Sequence, residues 1–172
     1  GVKIDFEVAC WGGNGFGAVS PDLSAETFGE QDSGFPLTTS PGGPNRGTSF
    51  FYGGGQTPSS GTQVIDVSEG APQIDAGGAP FVLSGYLGGS SGQVDGASMT
   101  ATFWSGASGS GANLGNGTTG SVNASTVGNQ TGLGRQVVSG IVPSGTRSIE
   151  FTLAMDTNPL DGSRNDGYAD SV

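Results

Sequence analysis

Histidine is absent from the 172 residues, and cysteine occurs once. The first absence removes the commonest general base and zinc ligand; the lone thiol permits neither an internal disulfide nor a thiolate cluster. A Ser-His-Asp triad and a zinc centre are thereby excluded. Cation-bearing side chains are nearly as scarce, with five Lys and Arg against fifteen Asp and Glu and a formal net charge of −10. A surface of that sign repels phosphate backbones and anionic lipid, so nucleic acid is not an expected partner. No apolar run approaches the ~20 residues that cross a bilayer as a helix, so no membrane span is expected, and no basic-then-apolar leader opens the sequence.

What is abundant is glycine, at 35 residues, with nine prolines, while charged residues reach only 12%. Such a chain spends much of its length in turns and polar loops, which argues against a helical bundle. The glycines are dispersed, and apolar runs such as Phe81-Val82-Leu83 and Ile149 to Leu153 lie between them, so the chain is expected to fold. Its length suits one two-sheet core, and residues 1–172 read as a single domain. Scarce Lys, acidity and richness in Gly, Ser, Thr and Asn fit a secreted, extracellular or cell-surface protein. The sequons at Asn116, Asn123 and Asn129 carry no weight in a segment this rich in Asn and Thr. Cys10, after Val8 and Ala9, reads as a buried apolar residue.

Alternation of apolar and polar residues marks the strands. Ile4 to Val8 places Ile4, Phe6 and Val8 on one face and Asp5 and Glu7 on the other. Trp11 to Gly47 reads as a long loop, a length more often functional than inert. Strands follow at Thr48 to Tyr52, stopped by a Gly53-Gly54-Gly55 turn, and at Gln63 to Val67, Pro80 to Leu87 and Ser98 to Trp104. The segment from Ser105 to Gly134 reads as a turn and a weak strand, and Gln136 to Ile141 and Arg147 to Met155 as two clear ones. A last strand at Tyr168 to Val172 has hardly begun where the sequence stops, which suggests a piece of a larger protein. Many short strands at this spacing predict an all-β, two-sheet antiparallel β-sandwich.

Four stretches carry a resemblance. Ile4 to Glu7 followed by Trp11, Asn45 to Gly54 leading into Gln63 to Val67, Phe81 to Gly89, and Val142 to Ile149 with Asn165 to Asp170 together resemble the galactose-binding-like jelly roll of bacterial carbohydrate-binding modules and related surface-sorted proteins. The likeness spans nearly the whole chain, although each motif alone is weak. It implies a jelly roll whose first and last strands lie close together and share a structural Ca2+. In the resembled modules the Glu of a Phe-Glu pair and the Asp of a Tyr-x-Asp pair meet at the ion; here those are Glu7 and Asp170, with carbonyls around Gly47 to Ser49 completing the shell. Calcium takes six to eight oxygen ligands and suits an acidic chain without His. The bland reading is a pair of solvated strand acids; against it stands the repulsion of two carboxylates on adjoining strands.

Sugar rings stack apolar C–H faces on aromatic side chains and pair their hydroxyls with amides and acids. Trp104 and Trp11 are the candidate platforms, with Tyr52 and Tyr86 behind them. Burial of Phe103 would put Trp104 on the opposite face, packed under a loop or open to a ligand. For Trp11 the resemblance favours packing at one end of the sandwich. Phe50, Phe51, Phe81, Phe103 and Phe151 read as core. No pair of acids stands out as catalytic, so the chain is not expected to be an enzyme. Two functions follow: a carbohydrate-binding or adhesive module whose partner is a glycan or polysaccharide, or a structural subunit of an extracellular assembly such as a surface layer, filament or virion decoration, whose partners are neighbouring copies. Ice or mineral binding ranks third, because the threonines do not recur at one regular sequence repeat.

Overall fold

The computed structural model describes residues 4–5, 18–19, 23–28, 34–55, 57–158 and 164–172. In chain order the strands are β1 (Ile4–Asp5), β2 (Ala18–Val19), β3 (Ser24–Thr27), β4 (Ser49–Gly54), β5 (Ser59–Asp66) and β6 (Pro80–Gly89). They continue as β7 (Gly96–Gly106), β8 (Ser110–Thr118), β9 (Val122–Asn123), β10 (Gly132–Ile141), β11 (Ser148–Asp156) and β12 (Asn165–Asp170). One sheet runs β6-β12-β4-β3, with β10 and β1 also pairing to β6; the other runs β2-β5-β11-β7-β8, with β9 beside β7. All pairings are antiparallel except β1 with β6. The protein is an all-β, two-sheet sandwich.

Period-two alternation selects what goes inside. Ala97, Met99, Ala101 and Phe103 of β7 and Ile149, Phe151, Leu153 and Met155 of β11 face Phe81, Leu83 and Leu87 of β6 in one continuous core. Burying each large side chain among these contributes about 1.5–3 kcal/mol, which outweighs the weak intrinsic preference of so glycine-rich a chain. A second cluster, aromatic, lies on the outer side of the β6-β12-β4 sheet: Phe28, Phe50, Tyr52, Leu133 and Tyr168, with Phe35 and Tyr86 packed on it. Its rings meet edge-on or tilted, as between Phe50 and Tyr168 at 5.4 Å and Phe35 and Tyr52 at 4.8 Å.

The loop at 34–47 covers that cluster. Pro41 O accepts from Leu133 N at 2.9 Å, and a Cβ at Gly43 would lie 3.1 Å from the Tyr86 ring. Arg46 gives the loop its own frame by donating to the carbonyls of Gly43, Leu37 and Ser40, while its guanidinium sits 5.4 Å over Phe28.

Four expectations need correction. The stretch from Trp11 to Gly47 is not all loop: it contains β2 and β3, too short and too poor in apolar residues to show alternation and held by backbone pairing to β5 and β4. Gly53 does not stop β4, which runs to Gly54; it lies bare against the side chain of Asn165, where a Cβ would collide. The region 105–134 holds β8, nine residues long, rather than one weak strand. The last strand is Asn165–Asp170, in the middle of its sheet and buried along its whole length.

Close backbone approach also explains Gly88, where a Cβ would overlap the carbonyl of Gly132 on β10. Gly88→Ala should therefore force β6 and β10 apart and cost about 3 kcal/mol or more, read as a lower denaturant midpoint. A midpoint within error of wild type would show that this register yields easily.

Candidate functional site

Of the two candidate carboxylate ligands, Asp170 is among the described residues. On β6, β10 fills one edge along its length, while β1 pairs with Phe81 and Val82 and β12 with Tyr86 to Gly89. The first and last strands therefore lie end to end on the other edge. Asp170 sits opposite Tyr86 and is 3% exposed. Its Oδ1 accepts from Ser171 Oγ at 3.4 Å, and its Oδ2 has no hydrogen-bond partner among the described residues. Burial pushes the carboxyl above the usual aspartate range, opposed by the Ser171 N–H and hydroxyl and by the charge of Arg46.

The neighbours proposed for it are placed unequally. Ala169 pairs with Phe51, which sets Asp170 level with Phe50 and one residue from Ser49. Gly47 is exposed, and no atom lies within 4 Å of where its Cβ would be. Glu7 and Trp11 lie outside the described residues.

The aromatic candidates separate onto two sides of the sandwich. Tyr52 is buried against Phe35 and Tyr168, and Tyr86 is half-buried under Gly43. Neither offers an open ring. Trp104 belongs to the other sheet, half-buried, with its indole Nε1 sheltered and without a hydrogen-bond partner among the described residues.

Trp104 borders the outer face of the second sheet, and there the register does what the sequence did not reveal. Thr62, Thr152, Thr100 and Thr118, from four different strands, stand in one row, with Thr100 Oγ1 donating to Thr118 Oγ1 at 3.0 Å. Val64, Glu150, Thr102 and Asn116 form the next row, and Ser60, Ala154 and Ser98 the row on the other side. Neighbours within a row are about 4.8 Å apart and rows about 6.8 Å apart. All of these side chains are half-buried or exposed, Val64 by 41%.

The β7–β8 hairpin tip closes one end of this face. Ser108, Gly109 and Gly111 adopt positive φ of 60°, 70° and 84°, and the pairing of β7 with β8 shifts on both sides of Trp104. Gly109 N donates to Ser148 Oγ at 2.9 Å, which itself donates to Gly106 O at 2.7 Å. A Cβ on Gly109 would lie 3.3 Å from Glu150 Oε2 and 3.4 Å from Val64, so the tip rests on the face. A non-glycine residue at positive φ costs about 1 kcal/mol or more, and here it bends the hairpin over the sheet.

Sequence reasoning passed over a buried polar group at the opposite end. Asp95, fully buried, accepts from Asn158 N through Oδ1 and from Asp166 N through Oδ2 at 3.1 Å. Asn165, equally buried, donates to Met155 O at 3.0 Å and Thr57 O at 3.2 Å and accepts from Gly167 N at 3.3 Å. These side chains pin the connection into β12. Asn165 and Asp166 belong to an Asp- and Asn-rich stretch that reads in sequence as a solvated acidic loop, whereas both are buried; Asp95 stands outside that stretch.

Against known proteins, the chain matches no family model and no curated sequence.

Proposed function

We propose that the chain is a non-catalytic, extracellular carbohydrate-binding or adhesive module, built as a galactose-binding-like jelly roll with a structural calcium. The observation that carries the binding role is the open outer face of the second sheet, a platform of short hydroxyl and amide side chains bordered by Trp104 and walled by the β7–β8 hairpin tip. Hydroxyl and amide groups pair with sugar hydroxyls in either hydrogen-bonding direction, and an indole edge adds apolar contact. Glu150 on this face and the net charge of −10 disfavour uronate or sulfated chains, so the partner is a neutral polysaccharide.

The calcium reading is supported by Asp170, whose buried oxygen, without a partner among the described residues, is the condition a hard cation relieves. Asp170 would hold the ion with Ser49 close by along β4, and the resemblance adds Glu7 as the second carboxylate. Bound there, calcium neutralises a charge that burial disfavours.

Depletion assays on insoluble neutral polysaccharides, with and without EDTA, test the module. Thr152→Lys, which plants a long side chain mid-face, is expected to weaken retention at least ~10-fold, whereas Val137→Lys on the opposite sheet leaves it unchanged. Retention on no polysaccharide, with self-association rising with concentration in light scattering, would replace this reading by the assembly subunit. The exposed Val137 (48%) and Ile141 (56%) on the regular strand β10 are the observation that favours that second reading.

A further inference from the structure

Tyr168 has one hydroxyl proton to give and two acceptors in reach, while the Ser90 side chain also hydrogen-bonds the phenol oxygen. Tyr168 Oη lies 2.9 Å from Gly34 O, at the start of the loop that covers the aromatic cluster, and 3.3 Å from Asp166 Oδ1. The phenol is fully buried and Asp166 is 6% exposed, so water does not readily satisfy whichever acceptor is left without the proton. We propose that this proton is a latch: with the Asp166 carboxyl protonated, Tyr168 donates to Gly34 O and ties the loop to β12, and with Asp166 ionised the proton turns to the carboxylate and Gly34 is released.

The geometry favours the latched arrangement, because the shorter contact is the one to Gly34. A neutral Asp166 then completes a chain in which the carboxyl O–H donates to Tyr168 Oη and Tyr168 donates to Gly34 O. Ionising Asp166 sends its own proton to solvent, and an oxyanion outcompetes a neutral carbonyl for the phenolic proton. Asp95, the residue before β7, repels the Asp166 charge, while Arg164 opposes that repulsion and Gln93 and Tyr168 donate hydrogen bonds. Burial is the largest influence and favours the neutral acid. Tyr168 itself stays protonated, its ionisation opposed by burial and by Asp166 and Tyr52. Release is confined to the beginning of the loop, since Phe35 remains lodged against Phe50 and Tyr52 and Pro41 remains bonded to Leu133.

Hydrogen exchange of the Phe35 amide, which shares its peptide group with Gly34 O, corrected for the intrinsic pH dependence, tests the latch alongside the carboxyl carbon shift of Asp166. Wild-type protection is expected to fall ~5-fold as pH rises through the Asp166 titration, with the same midpoint. Tyr168→Phe should show the lower protection at every pH, and Asp166→Asn should show no step. Protection that ignores pH in the wild type, or a step that survives in Asp166→Asn, overturns the proposal.

Discussion

Chelation with EDTA is expected to lower the melting temperature of the wild-type protein by about 5–10 °C and to leave Asp170→Asn unmoved. A ligand that binds only the folded state at ~100 times its dissociation constant contributes about 2.7 kcal/mol. In a domain of this length each kcal/mol shifts the midpoint by about 2–4 °C. Without a cation, Asp170 keeps a buried oxygen that no described donor meets, so removing the charge should stabilise the metal-free fold even as it abolishes the calcium response.

The pH dependence supplies an independent arm. Asp170 and Asp166 are both raised above the aspartate value of 3.8, chiefly by burial. The folded protein thus binds more protons than the unfolded chain between that value and their raised ones, and stability falls as pH rises through this window. In EDTA, acidifying from neutrality into the window should raise the melting temperature. Saturating calcium should flatten the part due to Asp170, because the ion holds that carboxylate ionised. A wild-type melting temperature indifferent to EDTA throughout would remove the calcium site.

How much of this was legible in the sequence depends on whether a residue's role is set by its own strand or by its neighbours across the sheet. The alternation of Met99, Ala101 and Phe103, and of Ile149, Phe151 and Leu153, is a property of one strand, and those residues are the core. Phe81 is core, as its apolar character led one to expect; Phe51 is only partly buried against that core, and Phe50 is buried instead in the outer aromatic cluster. The row of Thr62, Thr152, Thr100 and Thr118 belongs to no single stretch; it exists because β11 lies between β5 and β7 and β8 pairs beyond. A search for a regular threonine repeat had to miss it.

Tyr52 misleads in the opposite way. Its segment reads as an aromatic strand and Tyr52 as a residue behind the tryptophan platforms, but the loop at 34–47 roofs it and Phe35 packs on its ring. Asp170 was legible only as a type of residue in a motif. Its burial arises because β12 is inserted between β6 and β4, which alternation in the tail could not indicate.

Asp95→Ala is expected to cost about 3–5 kcal/mol. The carboxylate is fully buried and accepts from two backbone N–H groups, Asn158 and Asp166, on either side of the connection between β11 and β12. Hydrogen bonds to a charged acceptor contribute about 1.5–3 kcal/mol each, and deleting the acceptor strands two buried donors. Asp95→Asn keeps one carbonyl oxygen and turns a donor toward the other N–H, so it should lose roughly half as much. Because the two donors flank the entry into β12, the loss should also reach Asp170 and weaken the calcium response, whereas a surface deletion such as Asp75→Ala, which breaks the solvent-exposed pair with Arg147 and a bond from Gly145 N, should lower the midpoint far less. Equilibrium urea unfolding of the three variants ranks them. Equal midpoints for Asp95→Ala and Asp75→Ala would mean that the entry into β12 is held by its backbone pairing alone.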